Sequence, residues 1–319
     1  MIRHSLSKAI SKRGGAAVEL KLQFDYFFDN KFNSAVMTEF ENWFSTMAAY
    51  VYKTDFEQIK PSGSKGDKKC DGHRISTETI YQCYAPESSK TFGLNAKNKI
   101  ADSFPDVVTL WPKMKMWIFI HNNAAGLPVP ANDKLEELRV TYSNINFSAV
   151  SREFLKSELH DKLRITELFD VYPEAAKNIK EPDMASIRPL LKRIIAEKKD
   201  ELGNDAPFGE IPNKAKIEFN NLSAASKGVI NRGRVHAGVV KDYLNNMSMP
   251  ENVTKIQETL RQKYLELVDY GYESDDVLSR IIDSLQIEHT MDEYAACGVI
   301  VAYFFDTCDI FENPREKPC

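Results

Sequence analysis

The chain has 319 residues, of which 43% are hydrophobic and 28% charged; this is enough apolar side chain to bury a core, and it argues against disorder. A net charge of −4 excludes wholesale electrostatic attraction to nucleic acid and leaves room only for a local basic site. Five cysteines (Cys70, Cys83, Cys297, Cys308, Cys319) are odd in number and form no CxxC pair, so neither a zinc site nor a disulfide framework is expected.

Residues 1–14 read as a basic arm with no apolar run behind them that would make a signal peptide. A helix is expected from Ala16 to about Phe28 and a second over 33–52. On the second, Val36, Phe40, Phe44, Met47 and Val51 recur at three- and four-residue steps as one buried stripe. A strand at 56–59, a Pro-Ser-Gly loop and a strand at 79–84 follow, then a helix near 99–110. Met116-Trp117-Ile118-Phe119-Ile120 is nearly all apolar and suits a fully buried central strand ending at His121. A helix at 133–142, a strand at 145–149 and a helix at 151–159 complete an alternation that predicts a layered α/β domain. The stretch 171–215 holds five prolines and one expected helix, 186–201; residues 216–222 read as a strand or an extended connector. From Ser223 the pattern is helical over 223–246, 251–270, 274–286 and 291–307, and the short connections predict an antiparallel bundle. The predicted organisation is an arm and helix (1–30), an α/β domain (31–165), a linker with one helix (166–215) and a helical domain (216–319). No segment approaches about 18 uninterrupted apolar residues, so no membrane span is expected, and the reading is a soluble cytoplasmic protein.

The stretch that suggests chemistry is GDKKCDGHRISTETIYQCYAPE, residues 66–87. Hydrolysis of a phosphodiester near neutral pH needs an activated water and relief of phosphate charge, and a Mg²⁺ held by oxygen ligands supplies both. Asp71 is the first candidate ligand. The loop before it holds Gly63 and Gly66, and Gly72 follows; these let backbone turn sharply beside a phosphate. Lys65, Lys68, Lys69 and Arg74 lie in the same stretch as candidate phosphate contacts. Gln82 is the second candidate ligand, through its side-chain carbonyl; strand alternation puts Ile80, Gln82 and Tyr84 on one face. Glu41, beside the Phe40/Phe44 stripe, is the third. Each has a plainer reading: Asp71 as a turn aspartate, Gln82 as a buried strand amide, Glu41 as a solvated helix residue, and the lysines as a solvated loop. His121 ends a buried strand, where active-site edges lie in open α/β sheets, or is a satisfied structural histidine beside the Asn122 turn, the favoured reading, and Tyr84 either stacks on a base or packs on the sheet.

FE on a helix, GD…DG, and a strand reading YQCY resemble the PD-(D/E)xK restriction-endonuclease-like nucleases. The resemblance implies a restriction-endonuclease-like mixed sheet flanked by helices, with Glu41, Asp71 and Gln82 holding Mg²⁺ (or Mn²⁺). The family's catalytic Lys position falls on Tyr84, a departure, and Lys90 is the nearest downstream lysine that could swing in. A longer pattern (FENWF, PSGSKGDKKCDG, YQCYAPE, WPKMKMWIFIHNNAAGLP and AYFFDTCDIFENP) resembles the effectors of bacterial ABC-three-component defence systems, the Lamassu type among them. That likeness implies a nuclease-like domain followed by a mostly α-helical domain docking on an SMC-like ABC ATPase and a small middle subunit. It further implies a DNA endonuclease restrained by those partners and active as a homo-oligomer. The alternative is a degenerate, non-catalytic subunit that binds DNA or bridges its neighbours. A small-molecule enzyme is disfavoured: the sequence has no P-loop, no GxGxxG after a strand and no Gly-x-Ser-x-Gly elbow.

Overall fold

A computed structural model describes residues 20–60, 70–87, 92–197, 213–247, 250–307 and 310–314. The chain forms two compact units, Asp25–Leu163 and Met1–Phe24 with Arg164–Cys319. The first contains most of helix α1 (residues 20–34), then α2 (Met37–Tyr52), β1 (Phe56–Gln58), β2 (Gly72–Arg74), β3 (Thr79–Tyr84), α3 (Phe92–Leu110), β4 (Met116–His121), α4 (Val129–Thr141) and β5 (Asn146–Val150). It ends in α5 (Arg152–Phe154), which runs on as a π-helical turn, Leu155–Leu159, and a 3₁₀ turn, His160–Lys162.

The sheet order is β1-β2-β3-β4-β5. The first three strands pair antiparallel, and β3, β4 and β5 run parallel. Parallel neighbours need a crossover, and α3 and α4 supply the two that are required. Ile100, Phe104, Leu135 and Leu138 from those helices pack on Ile80, Trp117, Phe119 and Phe147 of the sheet. As its apolar run predicts, β4 lies between two parallel strands and is buried from Trp117 to His121. On α2 the buried stripe is Phe40, Trp43, Phe44, Met47 and Ala48, a helical period of three and four, whereas Val36 and Val51 are only half-buried. Phe44 meets Tyr81 of β3 at 5.3 Å between ring centroids.

His121 closes β4 at 2% exposure, its Nδ1 accepting the Asn123 N–H at 3.3 Å. Burial pulls its pKa from 6.5 to about 4, and burial does the same for His160. A histidine whose folded pKa is depressed binds its proton more readily when unfolded. The stability it confers is therefore full above about pH 6.5, falls on acidification and levels off near pH 4. All three tryptophans (Trp43, Trp111, Trp117) lie in this unit, so their fluorescence reports its unfolding alone. We expect the acid-unfolding midpoint of His121→Gln, read this way, to fall below that of the wild type; an unchanged midpoint would remove His121 from the acid response.

The second unit contains α6 (Ile165–Val171), α7 (Met184–Glu197), α8 (Asn213–Phe219), α9 (Ala224–Asn245), α10 (Pro250–Asp269), α11 (Ser274–Leu285) and α12 (Met291–Thr307). The stretch 166–215 carries the one helix expected there as α7 and a further helix, α6, and Leu168, Phe169, Ile187, Leu190, Leu191 and Ile194 are buried in this unit. Residues 213–219 are helical, not extended. On α8, Lys216 is buried, donating from Nζ to the Phe305 carbonyl at 2.7 Å, with Ile217 buried beside it. α12 is apolar nearly all round and is the central helix, packed by α7, α9 and α11. The Ser223 hydroxyl caps α9 by accepting the Ser226 N–H at 3.3 Å. Among the described residues no helix is long and apolar enough to cross a membrane.

Candidate metal centre

The geometry around Asp71 starts with a glycine. A Cβ on Gly72 would stand 2.6 Å from the Phe56 ring, so only glycine lets that ring lie against β2. Gly72 is the register partner of Tyr81, and Asp71 also donates its N–H to the Tyr81 carbonyl, at 2.9 Å. Two residues of one strand thus face one of the other, a β-bulge, a device that re-aims a side chain at the end of a ladder. The Asp71 carbonyl accepts the Ile59 N–H at 3.3 Å, so its backbone is held from both sides.

The Asp71 side chain is 9% exposed, and its Oδ2 accepts the Cys83 N–H at 2.6 Å and the Gln82 Nε2–H at 2.8 Å. Two charge-assisted bonds on one oxygen fix the carboxylate. Gln82 is 4% exposed, and its Oε1 is a buried oxygen with no hydrogen-bond partner among the described residues. Such an orphan costs about 1–3 kcal/mol, which calls for a compensating role. A half-turn of the amide exchanges Nε2 for Oε1 beside Asp71, and two adjacent oxygen donors then form the ligand pair that a hard divalent cation takes. The residues present fit Mg²⁺ or Mn²⁺.

Glu41 projects from α2, half-buried. Burial raises the pKa of the Cys83 thiol well above its usual value, and the charges of Asp71 and then Glu41 raise it further. Lys99, on α3, acts on the same thiol in the opposite sense. Glu41, Asp71 and Lys99 therefore share the electrostatic neighbourhood of one buried sulfur, next to Gln82 in sequence. Sequence reasoning passed over Lys99, an exposed helix lysine with no local mark.

Among the other sequence-derived candidates, Lys65, Lys68, Lys69 and Lys90 lie outside the described residues. Arg74 is committed elsewhere: its Nε donates to Asp55 Oδ2 at 2.8 Å and its guanidinium lies 4.4 Å from the centre of the Tyr52 ring. Hydrogen bonds from Ser76 and Arg74 hold the Asp55 carboxyl down at about 2. Tyr84 packs its ring against Phe92 at 5.2 Å and Phe119 at 5.7 Å, the sheet-packing alternative of its two readings.

A second acidic group, unread in the sequence, brings Asp25, His160 and Asp161 together, with one ligand atom from each within 4.8 Å of the others. Lys156 already neutralises it, with Nζ 3.0 Å from Asp25 and paired with Asp161. Neutral His160 completes an ion-pair cluster that an ammonium already serves.

No curated protein and no solved structure matches the chain. Residues 185–312, from the first turn of α7 to beyond the end of α12, match the family model for C-terminal domain 10 of the ABC-three component (ABC-3C) systems, which supports a place for this chain in such a system.

Proposed function

We propose that the Asp25–Leu163 unit is a divalent-metal-dependent nuclease and that the chain is the DNA-cutting effector of an ABC-3C defence system. The observation that carries this reading is the Asp71–Gln82 pair: a buried carboxylate fixed on a bulge, touching a buried amide whose oxygen has no partner among the described residues. Asp71 and Gln82 would hold the metal, with Glu41 approaching from α2. A bound Mg²⁺ makes a coordinated water acidic enough to attack phosphorus and offsets charge on the phosphate. Lys99 supplies the positive potential that Tyr84, engaged in the core, does not. The helical unit, through its ABC-3C domain, docks on the SMC-like ATPase and the small middle subunit. Cleaving both strands calls for two copies, so activity depends on oligomerisation.

The test is calorimetric titration of Mn²⁺ into the full chain, together with plasmid cleavage. Saturable binding that Gln82→Ala weakens by about tenfold or more supports the centre; equal binding by both proteins would sink it. Lys99→Ala should keep the metal affinity and lose about 10²-fold in cleavage, the scale of removing one donor of transition-state stabilisation. A variant that cuts normally would clear Lys99 of any role. The second reading, a non-catalytic subunit that binds DNA or bridges partners, is favoured by the uncharged, core-packed Tyr84 at the family's lysine position. Its signature is metal binding without cleavage in the assembled complex.

A further inference from the structure

The helical unit holds a cavity of about 230 Å³ between α9, α12 and the segment leading into α7. That is near the small end of ligand pockets, roughly 300–1,000 Å³, and suits a fragment-sized molecule. Its wall is apolar: the rings of Phe169 and Tyr294 stack at 5.2 Å, and both residues line the space. Its polar groups are mostly basic, with Lys180, Arg232 and His236 set against Glu181 alone. Arg232 and Lys180 are exposed, and among the described residues their side chains enter no ion pair. Exposed cations are ordinarily held by water rather than by an acid, so both stay open to an incoming anion.

A second, independent observation comes from Tyr294, which is 3% exposed and whose hydroxyl has no hydrogen-bond partner among the described residues. Tyrosine hydroxyls in buried surroundings usually find one. Burial, and after it the charge of Asp283, push the Tyr294 hydroxyl well above its usual pKa, with Arg232 acting in the opposite sense, so the hydroxyl keeps its proton and is a donor.

We propose that this cavity binds a small organic anion: a planar apolar body lies against Phe169 and Tyr294, and its acidic group takes the charge of Arg232 and Lys180 and a hydrogen bond donated by Tyr294. A single apolar space with a few convergent polar groups is the ordinary form of a small-molecule site. The assignment is independent of the nuclease reading, because every lining residue lies in the second unit.

The test uses the full-length chain and two fluorescent probes, anilinonaphthalene sulfonate and its uncharged counterpart phenylnaphthylamine. Saturable one-to-one binding of the sulfonate is expected. Removing both exposed cations (Lys180→Ala with Arg232→Ala) should weaken the sulfonate by about tenfold while changing the uncharged probe less than about twofold, since only the charged partner is lost. Ala295→Met, which fills the space, should abolish both. Tyr294→Phe should weaken the sulfonate and leave the melting temperature unchanged or raised, because it deletes an unsatisfied buried hydroxyl. Absence of saturable binding, equal weakening of the two probes, or a sulfonate site that survives Ala295→Met would each overturn the assignment. The double variant changes exposed residues, so it keeps the test open if Tyr294→Phe does not fold.

Discussion

Asp71→Asn is expected to lower divalent-metal affinity and plasmid cleavage by at least about 10²-fold, beyond the 10–100-fold typical of losing a residue that only supports a ligand. The substitution keeps the shape and removes the charge. The Asn oxygen can still accept from both Cys83 N–H and Gln82 Nε2–H, contacts made at 2.6 and 2.8 Å, but without the charge that strengthened them. That costs roughly 1–2 kcal/mol, a fall of a few degrees in melting temperature for a unit of this size. A folded, cleavage-dead protein is therefore the expected result, and retained cutting would remove Asp71 from the chemistry. Gln82→Glu sharpens the test from the other side. It sets a second carboxylate against Asp71, and two like charges in contact disfavour one another until a cation lies between them. Its melting temperature should rise with added Mn²⁺ far more than that of the wild type. A variant indifferent to Mn²⁺ would show that no cation belongs between those two side chains.

Where the sequence was legible, physical periodicity made it so. The apolar run at 116–120 could only be buried on both faces, and β4 lies between two parallel strands. The three- and four-residue recurrence of Phe40, Phe44 and Met47 marks the core face of α2. Gln82 was legible through strand alternation, which sets it on one face with Ile80 and Tyr84, and β3 spans Thr79–Tyr84 as expected. What was not legible depends on contacts between distant residues. β2 is three residues long, too short to show a period, and it exists because β1 and β3 flank it. The bulge that holds Asp71 is a difference of one residue in register between two strands. Lys99 lies on a helix, 28 positions beyond Asp71, and nothing in its local sequence distinguishes it from Lys97. The helix at 213–219 reads as extended because Lys216, Glu218 and Asn220 alternate with apolar residues; Lys216 is nonetheless buried, its ammonium on a main-chain carbonyl of α12. Asp25 and His160 are separated by 135 positions, and no local rule pairs them.

The largest effect on stability is expected at Gly233, on the face of α9 that meets α12. A Cβ there would stand 2.5 Å from the Gly298 carbonyl oxygen and 2.7 Å from the Ala302 Cβ. The obstacle is backbone, which no rotamer change relieves, so the two helices must move apart. Alanine is normally the better helix residue by about 1 kcal/mol. At Gly233 that gain is outweighed by an overpacking cost of roughly 3 kcal/mol or more. Gly238, on the same helix, is the internal control: a Cβ there meets nothing within 4 Å. Gly238→Ala should therefore raise the melting temperature of the helical unit by about 2–4 °C, and Gly233→Ala should lower it by roughly 5–10 °C. The same chemical change in the same helix thus acquires opposite signs from its neighbours alone. Tryptophan fluorescence does not see this unit, so calorimetry of the full chain is the appropriate reading. If the two variants melt together, the close approach of α9 and α12 is not what holds the helical unit, and the central place given to α12 falls with it.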